Sequence, residues 1–213
     1  MKKYTDILRG ADGYIYLITD DGSTERTDAA RLEPIANGTD GNEITARAQE
    51  SAAAILREVE RENEKTKRAA ENRDTCKYIA EELEAYAGGD CVKCPECGRI
   101  HYKSDFEERK NEDGEMVYIC PDCGEEVEDP DDLETLSIYD YLQDVFGVEY
   151  RIDERGELNS VEIMIACGGP NIYINTERRA VCLYWWGDSA EYPIDCADAV
   201  DEWAAEMWEA MRA

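Results

Sequence analysis

The spacing of apolar and polar positions changes several times along the chain, and each change marks a predicted element. Residues 14–19, YIYLIT, form a run typical of a strand, and the turn signal DDG follows at 20–22. Residues 25–27 are the candidate partner strand. We therefore expect a small β hairpin unit over residues 1–38, with little core of its own.

A helical segment follows, in which residues 43–87 contain neither glycine nor proline. Apolar side chains recur in it at near-heptad spacing, but Glu62, Thr66 and Arg73 occupy seam positions. The pattern predicts a long, coiled-coil-like α-helix within residues 39–89, either continuous or broken near its middle. Two interpretations stay open: a solvated spacer helix, or a seam through which two chains form a homodimer.

The end of the chain, residues 129–213, mixes strand and helix periods and predicts a compact α+β domain. A short helix begins after Ser137, a favourable N-cap residue. Four strand-like runs with hairpin-length connections predict a four-stranded antiparallel sheet; the runs are 148–152, 161–166, 171–175 and 180–186. A second helix, from about 195 to 211, carries a stripe of apolar residues at helical spacing; they are Val200, Trp203, Ala204, Met207, Trp208 and Met211.

Two near-identical motifs, CPECG at 94–98 and CPDCG at 120–124, lie between the long helix and this domain. Two CxxC pairs at such a separation are typical of a four-cysteine zinc ribbon, here over residues 90–128. The glycine after each pair permits a left-handed backbone, which turns N–H groups toward the sulfurs. Four thiolates close the coordination sphere, so the Zn²⁺ is expected to be structural rather than catalytic. The predicted ligands are Cys94, Cys97, Cys120 and Cys123.

The strands beside these motifs, 99–102 and 116–119, are expected to pair and so bring the four sulfurs together. The charged segment 104–114 is then the exposed tip of the ribbon. Cys91 offers an alternative CxxC pair, but it lacks the proline and glycine of the second motif. His101, the single histidine, is interpreted as a strand residue.

The chain carries a large negative charge, with 51 acidic and 23 basic residues and a formal net charge of −28. Such a chain is poorly suited to bind nucleic acid or an anionic membrane directly, and well suited to bind a basic protein surface. The acid-rich composition of a halophile's protein is an alternative explanation. Acids concentrate in a linker and on one face of the last helix, and the candidate partner-binding residues are Glu125, Glu126, Glu128, Asp129, Asp131, Asp132, Glu134, Asp198, Glu202, Glu206 and Glu209.

Other chemistry is sparse. With one histidine, the chain offers no Cys–His or Ser–His pair outside the ribbon, and it contains no P-loop or dinucleotide motif. Cys76, Cys167, Cys182 and Cys196 are interpreted as small buried residues. No run is apolar enough for a membrane span, and the first residues lack the pattern of a signal peptide. We therefore expect a non-enzymatic cytoplasmic protein.

Three segments carry a resemblance to known proteins: LSIYDY at 136–141, IACGGPNIY at 165–173 and LYWW at 183–186. Over residues 135–213 the chain resembles small proteins carried by phages and mobile elements of gut Firmicutes, among them anti-CRISPR proteins that inhibit Cas9. The resemblance implies a host bacterial cytoplasm and a partner that is a basic nucleic-acid-binding protein, a Cas9 effector.

The first functional hypothesis is therefore an acidic inhibitor that binds Cas9 and blocks DNA loading or cleavage. Its carboxylates would act as a DNA mimic in the Lys/Arg groove that normally receives phosphates. The alternative hypothesis is a zinc-ribbon adaptor or regulator of a mobile element, which assembles protein partners through the long helix.

Overall fold

The computed structural model describes residues 2–111 and 114–212 as an α+β protein. It divides into two compact units, Met1–Arg68 and Ala69–Ala213. The division falls within one long helix, whose first half belongs to the first unit and whose second half belongs to the second. Within the described ranges, no helix is both long and apolar enough to cross a membrane.

The first unit is a four-stranded sheet packed against helices. Its elements are β1 (Lys3–Arg9), β2 (Ile15–Thr19), β3 (Thr24–Thr27), α1 (Leu32–Ala36), β4 (Glu43–Ile44) and the first half of α2 (Ala46–Gly88). The strand order is β3-β2-β1-β4; β2 is antiparallel to both of its neighbours, and β4 is parallel to β1. The buried core of the unit consists of Tyr4, Ile7, Ile15, Leu17, Leu32, Ile35, Ala48, Ala52 and Ile55.

This unit is larger than the expected hairpin. The predicted strand forms as β2 and its candidate partner as β3, but the pattern does not predict β1 on the other side of β2. A bulge between Tyr4 and Asp6 shifts the register of β1, so its buried residues Tyr4 and Ile7 are three positions apart instead of two. The core also exceeds the expectation, because α1 and the first turns of α2 contribute to it.

Helix α2 is continuous, so the prediction without a break is the correct one. Its apolar residues are buried near both ends. Ala48, Ala52 and Ile55 belong to the core of the first unit, and Cys76, Ala80 and Leu83 belong to the core of the second unit. Between these ends, residues 60–71 are exposed on every side. Since the apolar seam positions at both ends pack within the chain, the surface left for a homodimer is mainly polar, and the homodimer stays a prediction.

The segment after α2 forms two small antiparallel sheets. Its strands are β5 (Cys91–Lys93), β6 (Ile100–Tyr102), β7 (Glu107–Lys110), β8 (Met116–Ile119), β9 (Glu126–Val127) and β10 (Thr135–Leu136). The strand orders are β10-β5-β6 and β7-β8-β9. The prediction that the strands beside the two CxxC motifs pair with each other is therefore wrong, because β6 pairs with β5 and β8 pairs with β7 and β9.

The expected exposed tip of the ribbon also differs from the structure in part. Within it, Phe106 is buried and Glu107–Lys110 forms β7, which hydrogen-bonds to β8. The side chains of β7 are exposed, as its charge predicts. Residues 112 and 113 of this predicted tip lie outside the described residues.

The rest of the second unit is a meander of five strands with helices on one face. Its elements are α3 (Ile138–Leu142), β11 (Gly147–Ile152), β12 (Leu158–Ala166), β13 (Asn171–Asn175), β14 (Ala180–Trp185), β15 (Asp188–Pro193) and α4 (Ala197–Arg212). Val161, Ile163, Ile174, Val181 and Leu183 of the sheet share one core with residues of α2, α3 and α4. Ser137 caps α3 as predicted, and its backbone N–H and hydroxyl both donate to Asp140, each at 2.8 Å.

The sheet has five strands where the sequence predicts four. The additional strand, β15, has the sequence DSAEYP and lies at the edge beside β14. Only Ala190 and Tyr192 of β15 pack against the core, so its pattern is too polar to signal a strand. The stripe on α4 is buried at Val200, Trp203 and Ala204, whereas its last member, Met211, is 61% exposed.

Candidate metal centre and acidic groove

Each CxxC motif folds into the same turn. In the first, the Cys94 backbone N–H donates to the carbonyl of Arg99 at 2.9 Å, and the Gly98 N–H donates to the carbonyl of Cys94 at 2.9 Å. The second turn repeats both bonds at 3.0 Å, with Cys120 and Gly124 as the donors. The glycines have φ values of 71° and 73°, the left-handed backbone that the sequence predicts for them.

The two turns bring four sulfurs together. The Sγ atoms of Cys94, Cys97, Cys120 and Cys123 all lie within 4.8 Å of one another. Cys94 and Cys120 are buried, whereas Cys123 is exposed, so the cluster lies at the edge of the small core formed by Val92, Phe106 and Val127. The four predicted ligands therefore form one tetrad that is suitable for binding a metal ion.

The electrostatics of the tetrad favour a bound cation. Burial raises the pKa of Cys120, but hydrogen bonds from the backbone N–H groups of Cys123 and Asp122 outweigh burial and lower that pKa to about 6. At Cys123, the backbone N–H of Glu125 lowers the pKa, but loss of hydration and the neighbouring thiols raise it to about 12. Four thiolates this close repel one another, and a divalent cation would offset that repulsion.

Neighbouring side chains connect the two turns. Arg99 after the first turn pairs with Asp122 in the second at 2.9 Å, and this guanidinium lowers the pKa of Asp122. His101 Nε2 lies 3.5 Å from the Cys120 sulfur and 3.7 Å from Asp122 Oδ2. His101 is a strand residue of β6, as predicted, and it contacts a sulfur of the tetrad from outside. Cys91 is buried in β5 and is not part of the tetrad.

The acidic linker lies along the same module. A groove of about 850 Å³ runs between β8 and the linker, and its apolar floor includes Met116, Val117, Tyr118 and Leu133. Five of the seven predicted linker acids line the groove. A sixth acid, Glu96 of the first CxxC turn, also lines it and is not among the residues predicted from sequence. The six groove acids are Glu96, Glu126, Glu128, Asp129, Asp132 and Glu134.

The two remaining linker acids lie outside the groove. Asp131 pairs with Lys103 at 3.1 Å, and the Glu125 carbonyl accepts a hydrogen bond from the Cys120 backbone. Inside the groove, Tyr118 donates its hydroxyl hydrogen to Asp129 at 3.2 Å. Across residues 2–111 and 114–212, no lysine or arginine pairs with any of the six groove acids, so the groove presents uncompensated negative charge.

The candidate acids of α4 form a separate surface, and none of them lines the groove. Asp198, Glu202, Glu206 and Glu209 lie on this helix, and Asp198 is paired with Arg179 at 2.8 Å. The carboxylate of Glu206 beside the hydroxyl of Tyr139 raises the pKa of that tyrosine. Of the two acidic surfaces predicted from sequence, the linker therefore lines the groove and the acids of α4 do not.

The remaining cysteines match their interpretation with one exception. Cys76 and Cys182 are buried and Cys196 is partly buried, and burial raises the pKa of each thiol. Cys167 is exposed, so its predicted burial is wrong. It lies in the turn between β12 and β13, where the chain leaves the sheet.

The fold and the tetrad define an α+β protein with a small module whose four cysteines are suitable for binding a metal ion. No family model matches the chain, and neither a curated protein nor a solved structure does.

Proposed function

We propose that the tetrad binds one structural Zn²⁺. Zinc lies about 2.3 Å from each sulfur in tetrahedral thiolate sites, which places the sulfurs about 3.8 Å apart. The Cys97 and Cys120 sulfurs are 3.9 Å apart, close to this value. Bound zinc would supply the positive charge that lets four thiolates share one site, and with four protein ligands it would keep no open position for substrate.

We further propose that the protein is a non-enzymatic acidic inhibitor that binds Cas9 and blocks DNA loading or cleavage. The observation that carries this proposal is the groove of six uncompensated acids beside the tetrad. Cas9 holds nucleic acid in a positively charged channel through backbone phosphates. Carboxylates fixed along a groove can occupy the lysines and arginines of that channel in place of phosphates, in the manner of a DNA mimic.

The arrangement of the groove supports a built binding surface rather than a solvated charge run. If only charge repulsion acted on it, the linker would be extended and solvated. Instead, its strand β9 pairs with β8, and the Tyr118 hydroxyl donates a hydrogen bond to Asp129. Its apolar floor could receive the aliphatic stems of lysine or arginine side chains while their charged ends contact the acids. The resemblance of residues 135–213 to phage-borne proteins, described above, provides the choice of Cas9 as the partner.

A binding and cleavage assay with Cas9 tests this proposal. The double variant Glu128→Gln/Asp132→Asn removes two groove charges, and the matched control Glu50→Gln/Glu154→Gln removes two exposed charges elsewhere. We expect the groove variant to weaken Cas9 binding and inhibition at least about tenfold, as loss of interfacial charge contacts does, and the control to change them little. Affinity should also fall as salt rises.

Two results would refute the proposal. One is the absence of binding to Cas9 with or without guide RNA. The other is an affinity that stays flat from low to high salt, because a carboxylate surface that replaces phosphates must be sensitive to screening.

A second candidate function is an adaptor or regulator of a mobile element. The exposed stretch 60–71 of α2 favours it, because this helical surface packs against neither core. Affinity capture from host lysate discriminates the two candidates. Recovery of Cas9 supports the inhibitor. Recovery of transcription or conjugation proteins supports the adaptor, provided that this recovery is lost when residues 60–71 are replaced by a neutral helical sequence.

A further inference from the structure

A second cavity, of about 320 Å³, lies between the C-terminal half of α2 and the strands β5 and β6. It is separate from the acidic groove, and no function has been assigned to it above. Its volume is at the lower end of the range for small-ligand sites. The lining side chains that matter for its chemistry are Tyr78, Glu82, Tyr86, Cys91, Tyr102 and Asp105.

Aromatic rings form much of the wall of this cavity. Tyr86 is 8% exposed and packs edge-on against Tyr141, with ring centroids 5.0 Å apart. Tyr102 is partly buried in β6, and Tyr78, which is 61% exposed, lies at the mouth. A tyrosine ring presents partial negative charge on its face, so three such rings around one small space favour a cation.

Among the residues that the structure describes, no lysine or arginine pairs with Glu82 at this cavity. Glu82 is partly buried and accepts one hydrogen bond, from the Tyr141 hydroxyl at 3.4 Å. Burial raises the pKa of Glu82, although this hydrogen bond lowers it. Asp105 adds a second acid, one of whose oxygens accepts from the Tyr102 backbone at 3.1 Å. None of the described residues that line the cavity is a lysine or an arginine. His101 also lines it, but its Nε2 atom lies 3.5 Å from the Cys120 sulfur and 3.7 Å from Asp122 Oδ2.

We infer that this cavity binds a methylated ammonium group, with the tyrosines as an aromatic cage and Glu82 as the counter-charge. A methylated ammonium fits this wall better than a bare metal ion, which would require more oxygen ligands than the two acids offer. It also fits better than a primary ammonium, whose compact charge is more strongly hydrated and costs more to transfer from water. The ligand could be a methylated lysine side chain of a partner protein or a free quaternary amine.

Calorimetric titration of the full chain with choline tests the inference. The control ligand is 3,3-dimethylbutan-1-ol, which has the same shape but a neutral carbon in place of the charged nitrogen. Choline should bind at least about tenfold more tightly than this alcohol, as expected where a cation meets aromatic faces. Equal affinity of the two, or no binding of either choline or a trimethyl-lysine peptide, would overturn the inference.

Matched variants locate the site. Glu82→Gln keeps the acceptor for Tyr141 but removes the charge, and it should weaken choline binding about tenfold. Glu81→Gln, one position earlier on α2 and exposed beside Lys77, should leave binding unchanged. Tyr78→Leu should weaken binding and Tyr78→Phe should retain it. Since Tyr78 is mostly exposed, both variants should fold, and an unchanged affinity in Glu82→Gln and Tyr78→Leu would contradict the assignment.

The source of the ammonium group follows from a comparison of ligands. A trimethyl-lysine peptide that binds more tightly than choline identifies a partner's side chain as the ligand, whereas equal affinities identify the ammonium group alone. The inference is independent of Cas9 binding, because Glu82 and Tyr78 line no part of the acidic groove. Loss of Cas9 binding in the groove variant with retained choline binding would therefore separate the two proposals.

Discussion

Removal of the metal should unfold the ribbon module while leaving the five-stranded sheet folded. The small core of the module contains five buried residues, and two of them, Cys94 and Cys120, are ligands. The other three are Val92, Phe106 and Val127. At about 1.5–3 kcal/mol for each buried side chain, these three supply roughly 5–9 kcal/mol. Structural zinc sites contribute about 10–16 kcal/mol at neutral pH, so the proposed zinc would be the larger stabilising contribution.

Native mass spectrometry and amide hydrogen exchange check this prediction together. We expect one zinc per chain, and a strong chelator should remove the exchange protection of β5, β6 and β8. Protection in β12, β13 and β14 should change little, because their core is made with α2, α3 and α4. This sheet is therefore an internal reference within the same molecule.

Two cysteine variants make the assay specific. Cys97→Ala removes a member of the tetrad and should lose zinc, whereas Cys91→Ala removes a buried cysteine of the same segment and should retain it. The reverse pattern would show that Cys91 replaces Cys97 as a ligand. Protection of β5, β6 and β8 that survives complete metal removal would refute the argument that the metal stabilises the module.

Three further predictions concern the cores and the surface. Leu83→Ala in α2 should destabilise the second unit by about 2–5 kcal/mol in urea denaturation, because Leu83 is fully buried, whereas Arg61→Ala in the exposed stretch should change stability by less than about 0.5 kcal/mol. Hydrogen bonds from Lys2 and then Arg31 lower the pKa of Glu25 from 4.5 to about 2. The stabilisation that Glu25 gives is therefore present above pH 4.5 and is lost as pH falls toward 2. Glu25→Gln should lower the melting temperature of the first unit at pH 7, whereas near pH 2 the variant and the wild type should melt at the same temperature. Trp186 is 90% exposed with φ of 47°, so Trp186→Asn should leave stability unchanged or higher, and a loss above about 1 kcal/mol would contradict this.

The parts of the fold that the sequence predicts are those with a strong local pattern. The apolar stripe of α4 identifies that helix, the runs of β12, β13 and β14 identify the centre of the sheet, and paired CxxC motifs identify the tetrad. Trp186 is exposed because it lies in the turn after β14, where its φ is 47°, and not because of strand alternation.

The parts that the sequence does not predict depend on contacts between distant residues. The edge strand β15 is polar because one side of it faces solvent, and the bulge in β1 conceals its alternation. The strands beside the two CxxC turns do not pair with each other: β6 pairs with β5, and β8 pairs with β7 and β9. The spacing of the cysteines does not reveal these partners. The sequence identifies the acids of the linker but not the groove that they line, and it gives no sign of the tyrosine cavity, since each combines side chains from segments that meet only in the folded chain.

The exposed middle of α2 has a consequence for cooperativity. Each of the two cores uses one end of this helix, and residues 60–71 contact neither core. Glu62 in this stretch accepts hydrogen bonds from Arg9 of β1, but the stretch buries no apolar side chain. A helical segment of this kind opens at low free energy, so it transmits little of the unfolding of one unit to the other. Thermal denaturation should therefore show two transitions, and a single melting temperature would not describe the whole chain. A ligand that binds one unit should raise the transition of that unit alone.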